Sequence, residues 1–162
     1  MKHCASLTPL PNYRPNAGLC IVNAHNQVLA CERADIPGAW QCPQGGIDAN
    51  ETPEQAAWRE LLEETGIAPT QTKLIQTHSK WLHYDFPKQA DSIKNSRTNL
   101  PFQGQAQKWF LFYYDGPLPK VEDQVEQEFK AYAWKDSLWV LENVAVFRKN
   151  IYASVFKEFK LL

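Results

Sequence analysis

The sequence predicts an α/β domain in which helices cover both faces of a mixed sheet. Three observations carry that expectation. Short apolar or alternating runs at 17–23, 27–33, 72–84, 105–114 and 129–134 have the length and period of strands. A helix over 53–65 is signalled at both of its ends. Val144, Phe147, Ile151, Val155 and Phe159 stand at helical spacing and predict a closing helix over 144–160. The 162 residues suit one domain with a real core, and 44% hydrophobic residues with six Trp, six Tyr and eight Phe supply large packing pieces.

Residues 1–12 are polar, contain Pro9 and Pro11, and are expected as a flexible lead-in to a single domain over 13–162. Tyr13-Arg14-Pro15-Asn16 introduces the first strand. His25 and Asn26 make a turn, and 27–33 returns as its hairpin partner. Asp35-Ile36-Pro37-Gly38 is a turn signal. Trp40-Gln41-Cys42-Pro43-Gln44-Gly45-Gly46 then leads into the helix. The paired glycines let the backbone approach a metal or phosphate closely, and the Gly45 carbonyl is a candidate ligand. Beyond the helix, 72–84 makes one or two strands. The stretch 87–104 is polar, with Pro87, Pro101 and Gly104, and makes the longest loop, of a length often tied to function. The aromatic run 105–114 is a strand, ended by Asp115-Gly116-Pro117. An acidic loop over 118–127 precedes the strand at 129–134, and Asp136-Ser137 caps a short helix carrying Leu138 and Leu141.

The helix over 53–65 organises the rest. Thr52 is a natural N-cap, Pro53 costs nothing at the first helical position, and Gln55 completes a capping box. Gly66 ends the helix in the left-handed conformation. Trp58, Leu61, Leu62 and Thr65 form an inward stripe, and Glu60, Glu63 and Glu64 converge on a patch almost opposite, flanked by Ala56 and Ala57. Such a patch is commonly a solvated acidic face. Here Arg59 can pair with Glu63 four residues on, and the pinned apolar stripe fixes the acidic face towards something. A hard divalent cation such as Mg²⁺ is the natural neutraliser.

With 17 basic and 18 acidic residues the net charge is −1, so no strong field recruits nucleic acid without specificity, and stable binding to duplex DNA is not expected. Cys4, Cys20, Cys31 and Cys42 include no Cys-x-x-Cys pair; Cys20 and Cys31 read as small core residues, and the compartment as reducing and cytoplasmic. No run approaches a membrane span, and no secretory signal is seen.

The spacing of Gly45, Glu51 and Arg59-Glu60-Leu61-x-Glu63-Glu64-x-Gly66-Ile67 resembles the Nudix box with every fixed position filled. The resemblance implies the Nudix α/β/α sandwich. It also implies a loop–helix–loop that binds Mg²⁺, or Mn²⁺ in its place, through more than one ion, and sets a water against a phosphoanhydride. Tyr13-Arg14-Pro15-Asn16, the Trp40–Gly46 entry, Trp81-Leu82-His83-Tyr84-Asp85-Phe86-Pro87 and the run from Gly104 to Phe110 extend the likeness over about 13–160. They resemble the subgroup that holds plant-type diadenosine tetraphosphate hydrolases and bacterial RNA 5′-pyrophosphohydrolases. Cys42 stands where Phe or Met is usual, which leaves no catalytic role in doubt.

By the resemblance, Glu60, Glu63 and Glu64, with Arg59, are the catalytic group. Gly45, Glu60, Glu63, Glu64 and Glu128 are the metal ligands, with Glu63 or Glu64 taking the proton of the attacking water. Glu128 has the alternative of an ordinary surface Glu beside Glu126. Glu51 serves the helix dipole rather than the metal. Arg14, Arg33 and Lys108 match basic positions facing the polyphosphate, although each alone is commonly a solvated charge. Tyr84 and Phe147 match aromatics that sandwich the nucleobase, with core packing the alternative for Phe147, and Arg148 beside it favours a phosphate-bearing ligand. His25, His78 and His83 receive no role. The implied activity is hydrolysis of (di)nucleoside polyphosphates, foremost asymmetric cleavage of diadenosine tetraphosphate to ATP and AMP. The alternative is removal of pyrophosphate from a triphosphorylated RNA 5′ end; a minor one is a non-catalytic nucleotide sensor. Net charge and the lack of a basic tail after Leu162 favour the dinucleotide. A monomer is expected, with a nucleotide or RNA 5′ end as its substrate and no membrane.

Overall fold

The computed structural model describes residues 4–87 and 101–162, so most of the expected 87–104 loop lies outside the described residues. Among the described residues nine strands form one mixed sheet: β1 (Cys4–Ser6), β2 (Tyr13–Val22), β3 (Val28–Arg33), β4 (Trp40–Gln41), β5 (Gln44–Gly46), β6 (Thr72–Thr77), β7 (Trp81–Asp85), β8 (Gly104–Tyr114) and β9 (Phe129–Lys135). The order β1-β7-β8-β2-β3-β4 is joined by β5 on β2, β6 on β8 and β9 on β3. Its spine is a parallel pairing of β2 with β8 that runs unbroken from Tyr13↔Gly104 to Val22↔Tyr113. The strand pairings around it are antiparallel.

Strand alternation separates two cores. Leu19, Ile21, Phe110 and Phe112 pack with Ala56, Ala57 and Leu61 of α1 (Pro53–Thr65) on one face. Cys20, Val22, Trp109 and Leu111 pack on the other with Val140 of α2 (Ser137–Asn143) and with Ile151, Tyr152, Val155 and Phe156 of α3 (Lys149–Glu158). The expected helix-on-both-faces architecture is therefore the observed one. Cys20, Cys31 and Cys42 are free and buried, and burial pushes the Cys42 thiol up to about 12, so these are packing pieces.

Several expectations are corrected. The lead-in contributes a strand: Cys4–Ser6 pairs with β7, and the Leu10 N–H donates to His83 Nε2 at 3.0 Å. The approach to α1 is built from two short strands rather than a loop, so Gly45 is anchored opposite Ala17 on β2. The closing helix is shorter than its apolar stripe. Val144 and Ala145 are extended, at ψ 155° and 139°, a 3₁₀ turn follows at Val146–Arg148, and α3 begins at Lys149. Val144 is buried in the core cluster that holds residues of α2 and α3, and its burial mimics helical spacing without a helix.

Candidate active site

The helix that carries the acidic residues is fixed at both ends. The Thr52 hydroxyl accepts from Gln55 N–H at 3.1 Å, and the Gln55 side chain accepts from Thr52 N–H at 2.9 Å, which closes the capping box. Gly66 adopts φ +74° and donates to Leu62. Two further last-turn carbonyls find partners outside the helix: Val125 N–H donates to Glu63 at 2.9 Å, and the Tyr132 hydroxyl donates to Glu64.

Burial around α1 differs from the expected stripe. Leu61 and Thr65 are buried, but Leu62 is 45% exposed, whereas Glu60 and Glu64 are 8% and 4% exposed. β5 closes over the side of the helix that carries these two glutamates, so their face is interior. Arg59 holds this arrangement together. It forms a two-point pair with Glu51, at 2.6 and 2.8 Å, and donates to the Gly46 carbonyl at 2.8 Å and to Glu60 at 2.7 Å; the expected contact to Glu63 is longer, at 3.2 Å, and Asp48 lies at 3.7 Å. Glu51 therefore clamps the loop to the helix through Arg59 and does not simply face the helix dipole. That contact holds its carboxyl below the usual range.

A cavity of about 560 Å³ opens beside this clamp. Its lining is acidic, with Glu60, Glu64 and Glu128, and also basic, with Arg14, Arg33 and Arg148. Glu63 is half-exposed and stays outside, so the expected convergence of three helix carboxylates becomes two from α1 plus Glu128 from the turn before β9. Gly45 lies against Glu60 so closely that a Cβ there would fall inside the carboxyl group. Burial raises the proton affinity of Glu64, and the neighbouring Glu128 adds to it; burial also raises Glu60, partly offset by Arg59.

Among the described residues no three acidic, His or Cys side chains already stand at metal-ligating separation. The donor chemistry nevertheless fits a hard divalent cation. Glu60, Glu64 and Glu128 are oxygen donors lining one cavity, Glu60 lies against Gly45, and burial raises the proton affinities of Glu60 and Glu64.

Of the arginines, Arg33 is paired with Asp35 at 2.6 Å, whereas Arg14 makes no ion pair among the described residues. Arg148 is 9% exposed, donates from Nη1 to Gln41 at 2.9 Å, and leaves Nε without a partner. Its guanidinium lies 4.9 Å from the Phe147 ring centroid and 5.8 Å from that of Tyr84. Tyr84 is buried, and its ring centroid lies 5.6 Å from that of Phe147, with the two rings tilted at 41°. Lys108 does not line the cavity; it is half-buried in the strand row of Ala106 and Phe110, and its charge is felt by Glu158. The sequence reading missed Asn16, Gln41, Gln44 and Gln105 in the walls. Their amides carry no periodicity; only the place of Gln41 and Gln44 beside the glycines signalled them.

The NUDIX domain family model matches residues 12–155. The chain is 36% identical over 156 residues to Nudix hydrolase 27, chloroplastic, of Arabidopsis thaliana, covering 94% of this chain and 68% of that protein. It is 39% identical over 153 residues to an RNA pyrophosphohydrolase of Gluconobacter oxydans, covering 93% and 87%. A crystal structure of a C. elegans Ap4A hydrolase in a binary complex shares the fold, with a TM-score of 0.63 at 18% identity over 92% of this chain and 99% of that one. With a capped glutamate helix, a glycine cradle and these relatives in agreement, the chain belongs to the Nudix hydrolase family.

Proposed function

We propose that this protein hydrolyses the phosphoanhydride bonds of nucleoside polyphosphates with the help of divalent cations, and that its preferred substrate is a dinucleoside tetraphosphate split asymmetrically. One observation carries the reaction class: a single cavity is lined by Glu60, Glu64 and Glu128 together with Arg14, Arg33 and Arg148. A polyphosphate spans such a cavity with its oxygens to the arginines. A divalent cation would be held by Glu60, Glu64, Glu128 and the Gly45 carbonyl, and supplies neutralisation of charge developing on the transferring phosphoryl group. Glu64, which lines the cavity, is assigned the proton of the attacking water in preference to Glu63, which does not line it. Arg148 is a buried cation with no carboxylate partner among the described residues, so an anionic ligand completes it.

The net charge of −1 favours a compact substrate over a long polyanion. The second reading, removal of pyrophosphate from an RNA 5′ end, is supported by the RNA pyrophosphohydrolases among the relatives. The purified protein, given Mg²⁺, is offered diadenosine tetraphosphate and 5′-triphosphorylated RNA in parallel. A higher kcat/KM for release of ATP with AMP is expected. Faster release of pyrophosphate from RNA would establish the second reading, and turnover of neither would overturn both.

A further inference from the structure

The hydrogen-bond polarity of the cavity floor follows from one buried atom. The Trp109 indole nitrogen can only donate. It donates to Gln107 Oε1 at 3.1 Å, and both residues are fully buried. The Gln107 amide is thereby oriented, and its Nε2 donates to Asn16 Oδ1 at 3.0 Å and to Gln44 Oε1 at 2.8 Å. Both partners must turn oxygens to Gln107, so both turn their NH₂ groups away from it. Asn16 and Gln44 line the cavity. Neither amide nitrogen has a protein partner among the described residues. Neither is sealed from solvent, because Arg148 Nε is the one buried side-chain N or O atom there that lacks a hydrogen bond. Asn16, only 2% exposed, thus aims an unpartnered donor into the site. Gln41 repeats the logic: the Arg148 guanidinium can only donate, takes Gln41 Oε1, and leaves Gln41 Nε2 to the cavity.

We propose that Gln107 and Trp109 are positioning residues that hold Asn16 and Gln44 as neutral amide donors to the non-bridging oxygens of the substrate's phosphate chain. This rests on the phosphoanhydride reading above. Neutral donors suit the place. A lysine or arginine there would pair with Glu64, to which the Gln44 backbone N–H already donates at 3.0 Å, whereas an amide serves the phosphate and leaves the carboxylates free. The polarity is locked, because turning the Gln107 amide over would set N–H against N–H in a dry site. The donors therefore stay presented when the substrate leaves.

The test follows the side-chain amide resonances of Asn16 and Gln44 by NMR during titration of the full chain with inorganic pyrophosphate and Mg²⁺. Both NH₂ pairs should move, and that of exposed Gln76 should not. In Gln107→Glu, the new side chain can accept from Trp109 but offers only acceptors to Asn16 and Gln44, whose amides must turn over and face the cavity with carbonyls. Pyrophosphate affinity should fall about tenfold or more, and KM should rise more than kcat falls. Asn16→Ala removes one donor without adding charge and should weaken pyrophosphate by about tenfold. It carries the test if Gln107→Glu does not fold. Unmoved amides, absence of pyrophosphate binding, or unchanged affinity in the folded variants would overturn the proposal. Turnover of substrate with unmoved amides would sink this inference alone; moved amides without turnover would sink the hydrolase reading and leave the anion site.

Discussion

Glu64 concentrates the tension between activity and stability. It is 4% exposed, adjacent to Glu128, and receives one backbone N–H from Gln44. Glu64→Gln keeps an acceptor for that N–H and removes the charge. Turnover should fall by about a hundredfold or more through loss of the base. In EDTA the same variant should melt higher than the parent, because a buried carboxylate without compensating charge is costly. Kinetics and thermal melting of one preparation check both signs. Arg148 gives a second case. Arg148→Met retains a long apolar stem against Phe147 and removes the uncompensated charge. Melting temperature should hold or rise while KM for the nucleotide increases at least about fivefold, read from initial rates.

At the scale of elements, the Arg59 clamp and the edge strand β1 bear the strain. Arg59 reaches Glu51 through two nitrogens and the Gly46 carbonyl through one of them, a geometry that a lysine cannot reproduce. Arg59→Lys should cost about 1–2 kcal/mol in urea unfolding and raise the Mg²⁺ concentration needed for half-maximal rate. Deleting residues 1–6 uncovers the backbone of β7, so the truncated chain should melt lower and self-associate in sedimentation. How far these elements were legible depends on range. The capping box and Gly66 are local, and they stand where their spacing put them. Burial of Glu60 and exposure of Leu62 depend on where β5 crosses the helix, which no helical periodicity encodes. Val144 shows the converse: its spacing suits a helix, while it is buried from an extended position in the core that α2 and α3 share with the sheet. Three-residue β1 is too short to show a period, and the orientation of Asn16 and Gln44 is dictated by an indole remote in the chain.

For the molecule as a whole, His78 couples stability to pH. It is 5% exposed, accepts from Lys80 N–H at 3.2 Å, and packs against Phe159; burial draws its pKa below 6.5, while Glu158 at 3.6 Å works against that shift and Lys108 with it. The unfolded chain therefore takes up the proton first. The stability contributed by neutral His78 is present above about pH 6.5 and lost as pH falls below it. The difference in melting temperature between the parent and His78→Gln should narrow from pH 7.5 to pH 5.5; a constant difference would refute the linkage.

The parallel spine has a consequence for how the chain comes into being. Asn16 waits for Gln107, 91 residues later, and seven consecutive positions from Asn16 to Val22 are buried in the finished strand. During synthesis β2 exists for most of the chain's growth with an apolar edge and no neighbour on that side, while β5 covers three of its residues on the other. The same event that closes this edge, the arrival of β8, also brings Gln105 and Gln107 to Arg14 and Asn16. Maturation of the binding cleft and escape from aggregation are thus one step, late and of high contact order. A ribosome stalled before Gly104 holds a fragment in which that edge of β2 is still open.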